Sequence, residues 1–446
     1  MRSIKYFLLI AIALVTFMGC RKESYVAAFE QSPQLRLKEQ MNTLTDLLVN
    51  TPNGWIGTLS TGLGGGYAFY MNFEDDEYVN MYADLTNTSA GTVKRSRYRV
   101  RADAGAALTF DTYTYISILN NPEPSAFGGN VRDGFRSDID FIYERSGGDS
   151  LILIGKRYRQ RFTLVKATPA QKAKYEAGEY LTEVNKFKQY FVDNPNSYFE
   201  LGANKISVEA NSSNTMATGK RLTLTSIVDN KVVSATQKYA YTIDKMETVA
   251  GGLSFQGKRF MRLGWKNATT LAIYDSVGTE YVLNNSPTPL LPLHMLWGAK
   301  YSGMRSDFKV INPGTSAGGE SILNYYHNNL NNAGILGYSF NCGYITITWD
   351  LVNRRLNLNG FSSQNNCGGG WTTTAVYNYT KDDNGLYTFT LRSALSGGYT
   401  TNILLPFNTF LLNNTIKFDY YLSGSTVYAN MISETNPTTN MTFVMY

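Results

Sequence analysis

Along residues 55–166 apolar and polar residues alternate in short runs, separated by clusters of Gly, Asn and Asp. The runs occupy residues 55–59, 67–73, 78–83, 95–101, 107–110, 113–119, 138–143, 151–154 and 158–165. A period of two puts alternate side chains on one face of a strand, so each run offers one face to a core. Many short strands with turn signals between them predict an antiparallel barrel or sandwich. Gly64-Gly65-Gly66 and Glu74-Asp75-Asp76-Glu77 are the clearest turns.

Two stretches change period. Ser32-Pro33 supplies an N-cap and a proline at the first helical position, and Leu37, Met41, Leu44 and Leu48 then recur on one face until Thr51-Pro52. This predicts an amphipathic helix lying on a sheet. Thr168-Pro169-Ala170-Gln171 reads as a capping box that opens a helix or helix pair reaching Asp193, with Val184, Phe187 and Phe191 on its buried face. A second β series follows at 205–210, 221–227, 237–243, 260–265 and 270–274, and Ser286-Pro287-Thr288-Pro289 interrupts it.

The chain therefore parses as a helix plus barrel-like domain (32–167), a helical linker (168–194), a second β domain (195–290) and a C-terminal β region (291–446). That last region is either separate or continuous with the second. The fold class is mainly β: an antiparallel lipocalin-like barrel or sandwich preceded by an amphipathic helix, then one or two further antiparallel β domains.

The first residues carry an address. Arg2 and Lys5, an uncharged run from Tyr6 to Met18 and then Gly19-Cys20 have the layout of a secretory signal peptide, residues 1–19. The run is shorter than the ~20 apolar residues that span a bilayer. Gly19 before Cys20 suits lipoprotein processing, although Phe17 stands where the motif usually has Leu. Cys20 is then the lipidated residue, and 20–31 the anchor and tether. Several acyl chains, at ~0.8 kcal/mol per buried methylene, hold a domain stably on a membrane. The net charge of +6 becomes +4 once Arg2 and Lys5 leave with the leader, too mild and dispersed for nucleic acid.

In an oxidising compartment the two remaining cysteines, Cys342 and Cys367, are expected to pair. The runs at 344–349 and 355–359 fold about Asn353-Arg354 as a hairpin, which brings both to its open end. His294 and His327, the only histidines, have no metal-ligand spacing and read as interface or surface residues; neither metal nor cofactor is expected. Gly62-Leu63-Gly64-Gly65-Gly66 leads into strand alternation rather than a helix, which excludes a phosphate loop. Asp111, Asp138 and Asp140 are the acids to weigh for glycoside hydrolysis, with Asp138 and Asp140 two apart on a strand.

The sharpest local pattern is basic. Arg95, Arg97, Arg99 and Arg101 leave one strand face by alternation, and Arg157, Arg159 and Arg161 repeat the arrangement. Asp138, Asp140 and Glu144 are internal partners for them, and an external polyanion is the alternative. Tyr113 and Tyr115, sharing a face near Asp111, and Trp371, following Gly368-Gly369-Gly370, are candidate aromatic ligand contacts.

Phe29-Glu30-Gln31-Ser32-Pro33 with Arg36-Leu37, Pro52-Asn53-Gly54-Trp55, Gly65-Gly66-Tyr67, Phe69-Tyr70-Met71-Asn72-Phe73, Phe110-Asp111-Thr112-Tyr113 and Leu164-Val165-Lys166 follow the lipoprotein cysteine. Together they resemble an uncharacterised family of Bacteroidota outer-membrane lipoproteins, a domain of unknown function often encoded beside starch-utilisation-type uptake systems. Residues 55–166 also resemble lipocalin-like barrels generically, with Gly54-Trp55 at the start and Asp149-Ser150-Leu151 opening a closing strand. The resemblance implies an outer-membrane location on the surface or periplasmic face and an accessory role in nutrient uptake, with a glycan or anionic ligand and an uptake complex as partners. A carbohydrate-active hydrolase and a purely structural envelope lipoprotein are the rival readings.

Replacing Cys20 by Ser is expected to release the protein from membrane fractions, and retention there contradicts the anchor. A non-reduced digest of the exported protein is expected to yield the Cys342 and Cys367 peptides joined, whereas recovery of both with free thiols rules the bond out.

Overall fold

The computed structural model describes residues 31–111 and 113–446; the leader, Cys20 and the tether through Glu30 lie outside the described residues. Three antiparallel sheets follow one another along the chain. The first is a closed barrel of β1 (Trp55–Ser60), β2 (Gly66–Phe73), β3 (Tyr78–Ala83), β4 (Lys94–Ala102), β5 (Ala106–Phe110), β6 (Asp140–Gly147), β7 (Ser150–Gly155) and β8 (Arg161–Lys166). These strands run in sequence order, and β8 returns to β1 with Gly57 opposite Leu164. Helix α1 (Pro33–Val49), capped by Ser32, buries Leu44 and Leu48 among the barrel's core residues. There the Trp55 indole N–H donates to Leu48 O (3.2 Å). Closure removes the sheet edges, and the helix helps to fill the interior.

Two sequence expectations fail here. The alternation at 113–119 makes no strand: Thr114 is buried and caps a short helical turn, Tyr115–Ile118, its hydroxyl accepting from Ser117 N–H (3.1 Å). That local bond competes with a strand ladder. Residues 158–160 also stay out of the sheet. The Asp138 carboxylate accepts from the N–H groups of Arg157 (2.7 Å) and Tyr158 (3.0 Å), which fixes a turn before β8 begins at Arg161.

Helices α2 (Pro169–Glu176) and α3 (Tyr180–Asp193) lead to the middle sheet, with Thr168 and Gln171 forming the capping box. This sheet holds β9 (Ser197–Leu201), β10 (Asn204–Asn211), β11 (Arg221–Val228), β12 (Lys231–Tyr241), β13 (Lys245–Thr248), β14 (Leu253–Phe255), β15 (Lys258–Trp265), β16 (Leu271–Asp275), β17 (Glu280–Val282) and β18 (Asn284–Asn285). Its order is β17-β16-β15-β13-β12-β11-β10-β9-β18, with β14 beside β15. Since β17 and β18 adjoin in sequence yet stand at opposite ends of this order, the sheet curls almost into a barrel.

The third sheet is again a closed barrel: β19 (Gly303–Ser306), β20 (Cys342–Asp350), β21 (Arg355–Ser363), β22 (Trp371–Lys381), β23 (Leu386–Ser396), β24 (Ile416–Ser423), β25 (Thr426–Ser433) and β26 (Asn440–Met445). Helices α4 (Ala317–Asn329) and α5 (Thr401–Asn413) join its core through Leu323, Tyr326, Ile403, Leu404, Phe407 and Leu411. His327 of α4 is buried here, its Nε2 3.1 Å from Ser306 Oγ, and burial pushes its pKa down to about 4. It is a core residue, not the surface or interface histidine read from the sequence, because its helix turns that face inward. No helix among the described residues is long and apolar enough to cross a membrane.

The first barrel and the middle sheet share a core. Strand β2 is buried on both faces: Tyr67, Phe69 and Met71 enter the barrel, while Tyr70 faces outward and stacks on Tyr175 of α2 at 4.3 Å. At the contact, Asp84 and Lys220 form an ion pair (2.6 Å), with side chains 0% and 2% exposed. One Asp84 carboxylate oxygen accepts from Ala68 N–H and the other from Tyr241 N–H, both at 2.8 Å. Lys220 Nζ also donates to Asp84 O (2.7 Å). Burial lowers the Lys220 pKa and Asp84 opposes that shift, so the carboxylate keeps the buried ammonium charged. Cutting one partner from such a pair strands a buried charge. Asp84→Ala is therefore expected to cost about 3–5 kcal/mol in urea unfolding, with most of the loss recovered in Asp84→Leu/Lys220→Met. A loss below about 1 kcal/mol, the scale of an exposed pair, contradicts this role.

Candidate functional site

The candidate site lies at one rim of the C-terminal barrel. β20 and β21 pair without a break from Cys342↔Ser363 to Asp350↔Arg355. Their turn is closed by Asp350, whose carboxylate accepts from Asn353 N–H (3.0 Å) and its side-chain amide (2.7 Å). At the open end, the loop of residues 364–370 is tied back by the Cys342–Cys367 disulfide, with Cα atoms 5.4 Å apart. Asn366 N–H donates to Asn341 Oδ1 (3.0 Å), and Gln364 Nε2 donates to Ser339 O (3.1 Å). Asn366 and Cys367 both have positive φ (46° and 65°), which Asn tolerates and which costs a residue such as Cys about 1–2 kcal/mol. The cross-link and these bonds hold the loop in that conformation. Gly370 is required by close approach, since a Cβ there would lie 2.2 Å from Ser362 O.

The pinned loop delivers Trp371, the first residue of β22. Thr373, Ala375 and Tyr377, which share its parity, point into the core, so Trp371 stands on the inward row where the barrel ends. Its ring meets Tyr399 edge-on at 5.4 Å and Phe340 at 6.0 Å; Tyr338 meets Tyr399 at 4.8 Å. Phe340 is the buried anchor (1% exposed), while Trp371 (44%) and Tyr338 (49%) show much of their surface to solvent. Tyr399 is set by its neighbour Thr400, whose N–H donates to Thr373 Oγ1 (3.0 Å) and whose hydroxyl donates to Gly360 O (3.2 Å). The result is a packed, half-exposed aromatic cluster carrying indole and phenol groups. Apolar ring faces beside polar handles are the equipment for packing against a sugar ring while hydrogen-bonding its rim.

The other sequence candidates do not converge on one place. Tyr113 is 81% exposed, but Tyr115 is buried, with its hydroxyl donating to Thr92 O (2.9 Å); the helical turn separates them, so they share no face. Arg95, Arg97, Arg99 and Arg101 do line the outer face of β4. Arg95 pairs with Glu74 and Asp76 (2.6 Å each), Arg99 with Asp111 (3.7 Å) and Arg101 with Asp140 (2.8 Å), while Arg97 lies 5.2 Å from the Tyr78 ring centre. Arg157, Arg159 and Arg161 do not repeat the pattern: the first two sit in the turn, Arg157 beside Asp133 (3.4 Å), and only Arg161 is in β8. In the closed strand order β8 is four strands from β4 in either direction, so the two arginine groups do not merge into one patch.

Each acid weighed for hydrolysis has a structural use. Asp138 clamps the β7–β8 turn, and Asp111 and Asp140 pair with arginines. Asp138 precedes β6, so it and Asp140 are not neighbours on one strand face. Among the described residues no three His, Cys, Asp or Glu side chains gather as a metal-holding group. The Asp84–Lys220 pair escaped sequence reasoning because its members are 136 residues apart and neither lies in a patterned motif.

No curated protein matches the chain. Two solved structures of mutant transferrin binding protein B, a vaccine antigen of Haemophilus parasuis, are 7% identical, covering 88% of this chain and 74% of theirs, with TM-scores of 0.12 and 0.10. Scores that low carry no argument about fold or function. The family comparison does bear on the chain, since its match over residues 27–267 takes in the first barrel and the middle sheet through β15. The chain belongs to the family described as a domain of unknown function, DUF4302.

Proposed function

We propose that this protein is a lipid-anchored, non-enzymatic binding module of the outer membrane, accessory to a glycan uptake system, and that the rim of its C-terminal barrel contacts the glycan. The observation that carries the reading is the half-exposed Trp371–Tyr338–Tyr399 cluster on a loop pinned by a disulfide. Rings held in place before binding lose little conformational entropy when a ligand arrives. The outer-membrane location and the uptake partnership rest on the resemblance of the sequence to envelope lipoproteins, and the anchor rests on Cys20.

The hydrolase reading needs a pair of carboxylates free for acid–base work. Among the described residues the buried acids are committed elsewhere: Asp84 to Lys220, Asp138 to two backbone N–H groups, and Asp275 to the N–H groups of Val277 (3.1 Å) and Thr279 (2.8 Å). The polyanion reading draws no support from β4, whose arginines are engaged by the protein's own acids and Tyr78.

Affinity electrophoresis through gels of amylopectin, xyloglucan, galactomannan or mannan is expected to retard the full-length protein in at least one. Trp371→Ala is expected to weaken that retardation about ten-fold, equivalent to ~1.4 kcal/mol, with its melting temperature unchanged. Wild-type retardation in Trp371→Ala removes the rim from the account.

A further inference from the structure

The outer wall of the C-terminal barrel carries a feature that the rim does not explain. Strand register aligns its outward residues in rows: Tyr344, Phe361 and Thr372 in one, and Arg305, Thr346, Asn359 and Thr374 in the next. The inward neighbours Ile345 and Ile347 are fully buried, so this face looks away from the core. Tyr344 and Phe361 stack in parallel at 4.7 Å, and the Arg305 guanidinium lies 4.0 Å from the Tyr344 ring centre. Thr374 Oγ1 donates to Asn359 Oδ1 (2.9 Å), and Asn359 Nδ2 reaches Thr346 Oγ1 (3.4 Å), which orients the amide across the sheet.

An open cavity of about 560 Å³ sits on this wall, lined by Arg305, Asp307, Tyr344, Thr346, Val444 and Tyr446. Tyr446 is 48% exposed, and its ring crosses Gly303, where a Cβ would lie 2.8 Å from its hydroxyl. Arg305 and Asp307 form an ion pair, so the side chains of the cavity offer a donor and an acceptor of opposite charge. The lining thus combines two aromatic rings, a guanidinium donor, a carboxylate acceptor and hydroxyls that both donate and accept.

We propose that this cavity is a second saccharide site, one that takes a neutral pyranose of a glycan chain. One ring face packs on the exposed Tyr446, beside the edge of Tyr344, whose faces are held by Phe361 and Arg305, and neighbouring hydroxyls bridge Asp307, Arg305 and Thr346. An acidic sugar would confront Asp307 and a basic one Arg305, whereas a neutral one uses both. The inference rests on the glycan-binding reading and adds a site to it. Trp371 directly precedes Thr372, and β20 is two strands from β22, about 10 Å at the usual strand spacing. One polysaccharide can therefore run from the rim onto the outer wall, and two linked contacts raise retention beyond either alone.

The test uses the full-length protein and the same four neutral polysaccharides, with polygalacturonate as a charged control. Tyr344→Ala/Tyr446→Ala is expected to weaken retardation three- to ten-fold with an unchanged near-UV spectrum, and further when combined with Trp371→Ala. Asp307→Asn/Thr346→Val, which keeps both rings, is expected to lose at least three-fold and serves if the first variant misfolds. Wild-type retardation in a folded outer-wall variant while Trp371→Ala loses it overturns this site and leaves the rim standing. The opposite pattern keeps this site and removes the rim. Retardation by polygalacturonate alone overturns the neutral class, and no retardation of wild type in any gel overturns both readings.

Discussion

The architecture turns on a carboxylate that must be satisfied from two sheets at once. Asp84, just past the end of β3, is taken out of water and compensated by an N–H from its own barrel (Ala68), an N–H from the middle sheet (Tyr241) and the ammonium of Lys220. An unpaired charge in such a place costs several kcal/mol, so the barrel and the middle sheet each complete the other's polar core. Around that point the approach is close: a Cβ at Gly66 would lie 2.7 Å from Tyr239 O, and one at Gly65 2.4 Å from Lys220 Cβ. Tyr180 adds a donor to Tyr241 O (2.5 Å), tying α3 to the same strand.

The family match takes in both partners of the Asp84–Lys220 pair, running through the barrel, the helix pair and most of the middle sheet as one stretch. The C-terminal barrel joins that unit differently. The Pro-rich segment leading to it borders a cleft of about 330 Å³ against the outer face of β10–β12, crossed by the Lys300–Glu209 ion pair (2.8 Å). Its own core is self-contained, filled by α4 and α5. A tightly fused double-sheet base thus carries a barrel whose rim and wall hold Trp371, Tyr338 and Tyr446, and the disulfide ties back the presenting loop rather than the core.

Much of the fold was legible because period-two alternation and helix caps are local signals. The barrel strands, the Ser32 and Thr168 caps and the β20–β21 hairpin all follow from neighbours in sequence. Failures came where a side chain's hydrogen bonds to the backbone overrode the alternation: Thr114 capping a helical turn at 115–118, and Asp138 holding residues 157–158 out of β8. Gly64-Gly65-Gly66 read correctly as a break, but the reason at Gly65 and Gly66 is contact with the middle sheet, which no local pattern reveals. Of the site, Trp371 was visible from its glycine-rich approach. Tyr338, Phe340 and Tyr399 were not, because they reach it from separate loops.

If Asp84 fuses the two sheets, the amides it accepts from must become exchangeable together. Native-state hydrogen exchange at Ala68 and Tyr241 measures this, since amides freed only by a shared opening report the same free energy. The account predicts equal opening free energies at the two amides and an equal fall at both in Lys220→Met. Unequal values, or a fall confined to one sheet, would show that the barrel and the middle sheet open independently and that the buried pair does not join them.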